Sequence, residues 1–129
     1  MPVDVHVVTP EREVWSGETT LLIAKGIDGE LGIMAGHMPI LVQLAVGALK
    51  ITHSGGDVVV VVDGGFLHVA SEGSLTRADV LATNAELADE IDVAAAGREL
   101  EALRASGDGE DPQVKLAIER AEARVALAG

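Results

Sequence analysis

Residues 54–69 read Ser-Gly-Gly-Asp-Val-Val-Val-Val-Val-Asp-Gly-Gly-Phe-Leu-His-Val. The valine run at 58–62 is short, aliphatic and β-branched, which favours a strand. Glycine-rich turn signals stand on both sides of it, at 54–57 and 63–65. The run is far shorter than the ~20 apolar residues that a membrane-spanning helix needs. We therefore predict that it is a strand of a β-rich domain, bounded by turns.

The same pattern extends back to the start of the chain. Val3, Val5 and Val7 alternate with polar residues, which is the period of a half-buried strand. Short aliphatic runs follow at 21–23 and 40–42. Turn signals separate these runs, at Gly26, Asp28-Gly29, Gly36, Gly47 and Glu72-Gly73. Strands and turns alternating without helices predict an all-β domain over residues 1–82, a β-sandwich or a barrel, and disfavour a parallel α/β sheet.

From residue 83 to residue 129 the apolar period becomes helical. Two sets of residues each form one helix face: Val93, Ala96, Leu100 and Leu103, then Val114, Ile118, Ala121, Val125 and Ala128. Residues 106–110 break the pattern, and Asp111-Pro112 is typical of a helix start. The first helix begins either at a capping box of Thr83 and Glu86 or a turn later, at Asp89 or Glu90. We predict a C-terminal antiparallel α-helical hairpin.

The predicted hairpin is rich in alanine, which favours helix but buries little area, since each buried CH₂ contributes only ~0.8 kcal/mol. Weak docking of the hairpin on the sandwich is the consequence. Two roles stay open at this point: a movable switch and a static cap.

Composition excludes several classes of function. The 129 residues carry a formal net charge of −12, which disfavours contact with nucleic-acid phosphates and with anionic lipid. Cysteine is absent, which excludes disulfides and thiolate chemistry. The start Met-Pro-Val-Asp-Val-His has no signal-peptide pattern, so we expect a cytoplasmic protein with no direct membrane insertion.

No catalytic or metal motif is apparent. The four histidines lack metal-ligand spacing, and we expect His6, His53 and His68 at surface or edge positions. Acidic clusters stand where helices are predicted to begin, and capping explains them better than metal binding. One stretch, 28–41, carries an acid (Glu30) and an imidazole (His37) among three glycines. A turn-rich loop of this kind suits partner recognition better than catalysis.

That loop resembles the ε-subunit family of bacterial F-type ATP synthases. Its family pattern is present as Gly29-Glu30-Leu31-Gly32-Ile33 and Gly36-His37-Met38-Pro39-Ile40-Leu41. Further matches are Val5-His6-Val7-Val8-Thr9-Pro10-Glu11, Gly47-Ala48-Leu49-Lys50-Ile51, Gly64-Gly65-Phe66-Leu67-His68-Val69 and Asp89-Glu90-Ile91-Asp92. The resemblance covers essentially the whole chain and has the same order, a β-sandwich and then a helical hairpin.

The resemblance implies a non-catalytic subunit of the rotor's central stalk, peripheral on the cytoplasmic face of the bacterial membrane. The sandwich would bind the γ subunit and rest on the polar loops of the c-ring, through the side that carries Glu30 and His37. The hairpin would extend toward the catalytic β subunits and inhibit ATP hydrolysis. Its basic residues are Arg98, Arg104, Lys115, Arg120 and Arg124. Local i, i+4 pairing, for example of Arg120 or Arg124 with Glu119 or Glu122, is the alternative role for them.

Some members of the family bind ATP in the folded hairpin through an Ile/Leu-Asp-x-x-Arg-Ala motif. Here Ile91 and Asp92 match, but Ala95 replaces the arginine, and only Arg120 and Arg124 could supply charge from the second helix. Phosphate recognition depends on such arginines, so we predict weak or absent ATP binding and no cofactor.

Two other functions are less well supported by the sequence. A free-standing ligand-binding β-sandwich sensor would need a concave polar pocket, and with one Trp and one Phe the chain has few aromatic side chains to line it. An enzyme would need a catalytic constellation, which the sequence lacks.

Overall fold

The computed structural model describes residues 2–105 and 110–127. Within them the chain forms eight strands, a 3₁₀ turn and two α-helices. The strands are β1 (Val3–Val8), β2 (Glu13–Thr19), β3 (Leu21–Gly26), β4 (Gly29–Ile33), β5 (Ile40–His53), β6 (Gly56–Glu72), β7 (Leu75–Leu81) and β8 (Ala85–Leu87). The 3₁₀ turn (Ala88–Glu90) leads into α1 (Val93–Ala105) and α2 (Pro112–Leu127). Residues 106–109 of the predicted helix break at 106–110, and the last face residue, Ala128, lie outside the described residues.

The strands follow the order β2-β1-β7-β6-β5-β3-β4, and β8 pairs with β6. The β1–β7 pair is parallel, whereas the other described pairs are antiparallel. Strand β2 also contacts β5 and β8 without pairing with them, so the sheet folds over on itself. Buried side chains from all eight strands form one core. The predicted β-sandwich followed by a helical hairpin is confirmed.

Strands β5 and β6 are long because they run through two predicted turns. Neither Gly47 nor the 63–65 segment ends a strand, so both turn predictions are wrong. Gly64 and Gly65 have φ values of 107° and 126°, and the register with β5 is the same on both sides of them, Leu44↔Gly65 and Val46↔Asp63, so no residue is inserted. A Cβ at Gly65 would overlap the carbonyl oxygen of Leu81. These glycines therefore bend one strand instead of separating two.

The side chains that face the core change at these two glycines. Before them, the even-numbered Val60 and Val62 point inward, and after them the odd-numbered Leu67 and Val69 do. Val61 consequently points outward, where it is buried by the hairpin. Helix α2 packs against β5 and β6. The hairpin covers the outer surface of these strands on the side of the two glycines where Val61 lies.

The helix caps agree only in part with the sequence. The carboxylate of Asp111 accepts a hydrogen bond from the Gln113 N–H at 2.9 Å, which confirms Asp111 and Pro112 at the start of α2. Helix α1 begins at Val93, and Asp92 caps it through the Ala95 N–H at 3.1 Å. The predicted caps at 83–86 and 89–90 are wrong, because 85–87 forms strand β8 and 88–90 forms the 3₁₀ turn.

Candidate functional site

The loop between β4 and β5 is held by hydrogen bonds on both of its sides. The Gly36 N–H donates to the hydroxyl of buried Thr76 at 2.8 Å, and the His37 N–H donates to the Met34 carbonyl at 3.1 Å. The Ser71 hydroxyl donates to the His37 carbonyl at 3.4 Å. Nδ1 of His37 lies 2.7 Å from the Met38 carbonyl oxygen. The fixed loop presents two highly exposed methionines, Met34 and Met38, beside the imidazole.

Glu30 does not lie on this loop. Its segment forms β4, an edge strand in which Glu30 pairs opposite Lys25 of β3. Leu31 and Ile33 turn toward the core in alternation with Glu30 and Gly32, so strand packing overrides the glycine signals. Glu30 lines an open groove of about 750 Å³ under α2, together with Glu119 and Glu122. No hydrogen bond or ion pair joins Glu30 to His37 within residues 2–105 and 110–127. Placing both residues on one loop was therefore wrong.

The five basic residues of the hairpin separate into two groups. Arg98 and Lys115 are exposed, and Arg104 lies 3.8 Å from Glu122 of the other helix. Arg120 and Arg124 point instead toward the sandwich, where they pair with acids of β6, β8 and α1. The local pairing considered for these two arginines, with Glu119 or Glu122, does not occur among the described contacts. Long-range partners replace it because both arginines face the sheet.

A cleft of about 290 Å³ adjoins these two arginines, and we tested whether it fits a nucleotide phosphate. Asp63, Glu86 and Glu99 line it, so three carboxylates surround two guanidiniums. Of the motif residues, Ile91 is buried in the hairpin contact and the Asp92 carboxylate caps α1. The residues present do not fit a phosphate, since a local charge of about −1 repels an anion.

Two further charged contacts tie the sandwich edge. Arg12 donates to both carboxylate oxygens of Glu90, at 2.9 Å and 3.3 Å, and joins the β1–β2 loop to the 3₁₀ turn. This contact and the Leu87 N–H hold the pKa of Glu90 below its usual value. His6 lies 3.1 Å from both Asp4 and Glu13, and these hydrogen bonds raise its pKa. Sequence reasoning missed both contacts. Arg12 and Glu90 stand 78 positions apart, so local spacing does not pair them.

The hairpin leaves one half of the outer sheet surface uncovered. There Leu81 of β7 pairs opposite Phe66 of β6, and the next row places His68 between Asp79 and Leu41. Leu41, Phe66 and Leu81 are 68%, 48% and 54% exposed. We call this surface the open face. Periodicity predicts strands here but does not say which outward side a helix covers, so the open face could not be predicted from local pattern.

Two features are absent from the part of the chain described by the structure: a cluster of metal ligands and a membrane-spanning helix. No group of three or more His, Asp or Glu side chains there is arranged to hold a metal ion. None of the described helices has the length and apolar character needed to cross a membrane.

Comparison with known proteins gives the family. Residues 2–88 match the family described as "ATP synthase, Delta/Epsilon chain, beta-sandwich domain". The ATP synthase epsilon chain of Streptomyces coelicolor is 45% identical over 111 residues, which are 84% of this chain and 86% of that one. The chain belongs to the ATP synthase epsilon chain family. Another family member, from Frankia casuarinae, is 40% identical over 88 residues, 67% of this chain but 99% of its own length.

The fold is also found in a chain of a solved ATP synthase structure. A chain in the cryo-EM structure titled Euglena gracilis mitochondrial ATP synthase, OSCP/F1/c-ring in rotational state 1, superposes with a TM-score of 0.80 and 26% identity. The match covers 97% of this chain and 80% of that chain. The likeness therefore includes the hairpin as well as the sandwich.

Proposed function

We propose that this epsilon chain is a non-catalytic central-stalk subunit of a proton-translocating F-type ATP synthase. It couples the rotor to the catalytic sector and inhibits ATP hydrolysis through its hairpin. It is peripheral to the cytoplasmic face of the bacterial membrane through the complex. The observation that carries the proposal is a difference between the two parts of the chain. The sandwich keeps an exposed apolar surface, while the hairpin is docked elsewhere through a small apolar cluster.

The open face is our candidate for the γ subunit. It lies on a rigid sheet, and its exposed Leu41, Phe66 and Leu81 form neighbouring rows. Exposed apolar side chains grouped on one surface are typical of protein–protein contacts. A rigid surface of this kind binds without a large ordering cost.

The loop around His37, with exposed Met34 and Met38, is our candidate for the polar loops of the c-ring. Its hydrogen bonds to Thr76 and from Ser71 keep it in one conformation. Glu30 stays a candidate for the same contact through its exposed position on edge strand β4.

The hairpin bases are our candidates for an acidic segment of the β subunit. Arg98 and Lys115 are exposed while the hairpin is docked, and Arg104 has one long contact. Arg120 and Arg124 are engaged with the sandwich and α1, so they become available only after the hairpin leaves. Nucleotide binding by Ile91, Asp92 and these two arginines is not part of the proposal.

Co-elution with purified γ subunit tests the proposal. We expect the full chain to form a stable complex, and a Phe66→Glu/Leu81→Glu variant to lose it, because two carboxylates then face an apolar partner. Leu116→Glu is the matched control: this side chain is 38% exposed on α2, away from the open face. Failure of the unaltered chain to bind γ would overturn the proposed function.

A further inference from the structure

The Asp63 carboxylate joins three segments of the chain. Its side chain is only 8% exposed, and Oδ2 lies 3.2 Å from Nε of Arg120 on α2. The backbone N–H of Asn84 donates to Oδ1 at 2.9 Å, and the Asn84 amide donates to Oδ2 at 3.2 Å. One side chain of β6, next to Gly64, therefore contacts both the approach to β8 and the second helix.

Arg124 makes an equivalent junction one helical turn later. Its Nε lies 3.2 Å from Oε1 of Glu86 on β8, and its Nη2 lies 3.4 Å from Oε2 of the same residue. Its Nη1 donates to Glu99 of α1 at 3.1 Å. The Arg124 side chain is 28% exposed and that of Glu86 is 38% exposed, so water screens this pair less than it screens a fully exposed one. Arg124 thus connects the sheet, α1 and α2.

Apolar contact between hairpin and sandwich is small. Its buried members are Val61, Ile91 and Ala96, with Ala123 and Val125 packed against them. Groups of this size remove little apolar area from water. The ion pairs of Arg120 and Arg124 are therefore a large part of what distinguishes the docked hairpin from a released one.

We infer that Asp63, Glu86 and Glu99 form an internal acidic latch, which holds the hairpin down by occupying Arg120 and Arg124 until an acidic segment of a partner protein competes for them. This inference rests on the proposed function for its partner, but not for the latch. The chain's own carboxylates take the role that a bound phosphate would otherwise have, so docking needs no nucleotide. Release is governed by competition between acids for two guanidiniums.

Spin-label distance measurement on the full chain tests the latch. Because the sequence has no cysteine, Glu72→Cys on β6 and Gln113→Cys on α2 supply two specific, exposed labelling positions. In a Glu86→Gln/Glu99→Gln variant we expect the ratio of released to docked hairpin to rise about tenfold, as two partly buried ion pairs are lost. Arg124→Gln, which removes the other partner, should give the same direction of change.

Glu101→Gln is the matched control, since Glu101 is exposed on α1 and removes one negative charge outside the latch. Fluorescence of Trp15, the single tryptophan, which packs against the sandwich core, verifies that each variant is folded. Adding Mg-ATP to the unaltered chain should leave the distance distribution unchanged. If the double variant stays as docked as the control, or if ATP is required for docking, the latch is wrong.

These measurements use the isolated chain, so they remain informative if binding to γ fails. A released hairpin in the double variant together with no γ complex would retain the latch and reject the proposed function. In the reconstituted enzyme, we expect Glu86→Gln/Glu99→Gln to inhibit ATP hydrolysis more strongly than Glu101→Gln. Equal inhibition would reject competition by a partner's acidic segment.

Discussion

The sandwich and the hairpin are stabilised in opposite ways. The sandwich core gathers eighteen buried side chains, among them Leu22, Leu49 and Leu67, which are fully inaccessible. The cluster beneath the hairpin has three buried members and relies on charged contacts around it. Burial of apolar area needs no specific charged partner, whereas an ion pair is weakened by salt screening and can be exchanged for another. The two regions therefore differ in the conditions that weaken them.

The largest expected effect comes from the sandwich core. Leu49→Ala removes a fully buried side chain and leaves a cavity, and we expect the free energy of unfolding to fall by about 3 kcal/mol. Urea denaturation followed by Trp15 fluorescence measures it. A loss below about 1 kcal/mol would show that the sandwich core is no better packed than the hairpin contact.

Truncation locates the boundary between the two regions. Strand β8 pairs with β6 and places Ala85 in the core, although it lies within the segment that the sequence assigned to the hairpin. We expect truncation after Ala82 to lower the free energy of unfolding by about 2 kcal/mol, because a paired strand is lost. Truncation after Ala88 keeps β8 and should leave the sandwich stable.

The two truncations are each other's control, with urea unfolding as the measurement. Equal stability of both truncated chains would assign β8 to the hairpin.

A substitution in the small apolar cluster beneath the hairpin should show whether the hairpin and the sandwich unfold separately. Ile91→Ala removes one of its three buried members, and we expect docking to weaken by about 1–2 kcal/mol. Hydrogen exchange of the α1 and α2 amides should accelerate roughly tenfold or more, while amides of β5 and β6 keep their protection. Parallel acceleration in both regions would mean that they unfold as one unit.

The smallest effect concerns charge on the sandwich itself. Hydrogen bonds to Asp4 and then Glu13 raise the pKa of His6 above its ordinary 6.5. The resulting stabilisation is fully present below pH 6.5 and is lost as pH rises through the raised pKa. We expect it to be less than about 1 kcal/mol, because these partners are partly exposed.

The free energy of unfolding of the unaltered chain should decrease as pH rises above 6.5, and His6→Gln should remove this decrease. His68→Gln is the control. Urea unfolding at several pH values measures the slope, and NMR titration follows the His6 ring. If the free energy of unfolding depends on pH in the same way in His6→Gln as in the unaltered chain, the contacts of His6 do not stabilise the sandwich measurably.

Local pattern predicted much of the fold. Alternation and β-branching marked β1 and the valine run of β6, and helical spacing with Asp111-Pro112 marked α2. It failed where glycine had two possible roles. Gly64 and Gly65 have positive φ inside one continuous strand, yet the same residues ordinarily make a turn.

The candidate site was harder to predict, because its contacts join distant parts of the chain. Arg124 and Glu86 stand 38 positions apart, and nothing in local spacing pairs them. Basic residues of the hairpin were recognised as important, but not that two of them face inward. The resemblance to a family supplied partners, whereas only three-dimensional packing shows which surface is free to meet them.

The two glycines of β6 have a mechanical consequence. Asp63, which pairs with Arg120 of the hairpin, and Phe66, which is exposed on the open face, are three positions apart on one continuous strand. Gly64 and Gly65 lie between them and have the fewest steric restraints on backbone rotation. The two surfaces are thus joined by a compliant joint of two residues, the part of the strand that yields first when one surface is displaced against the other.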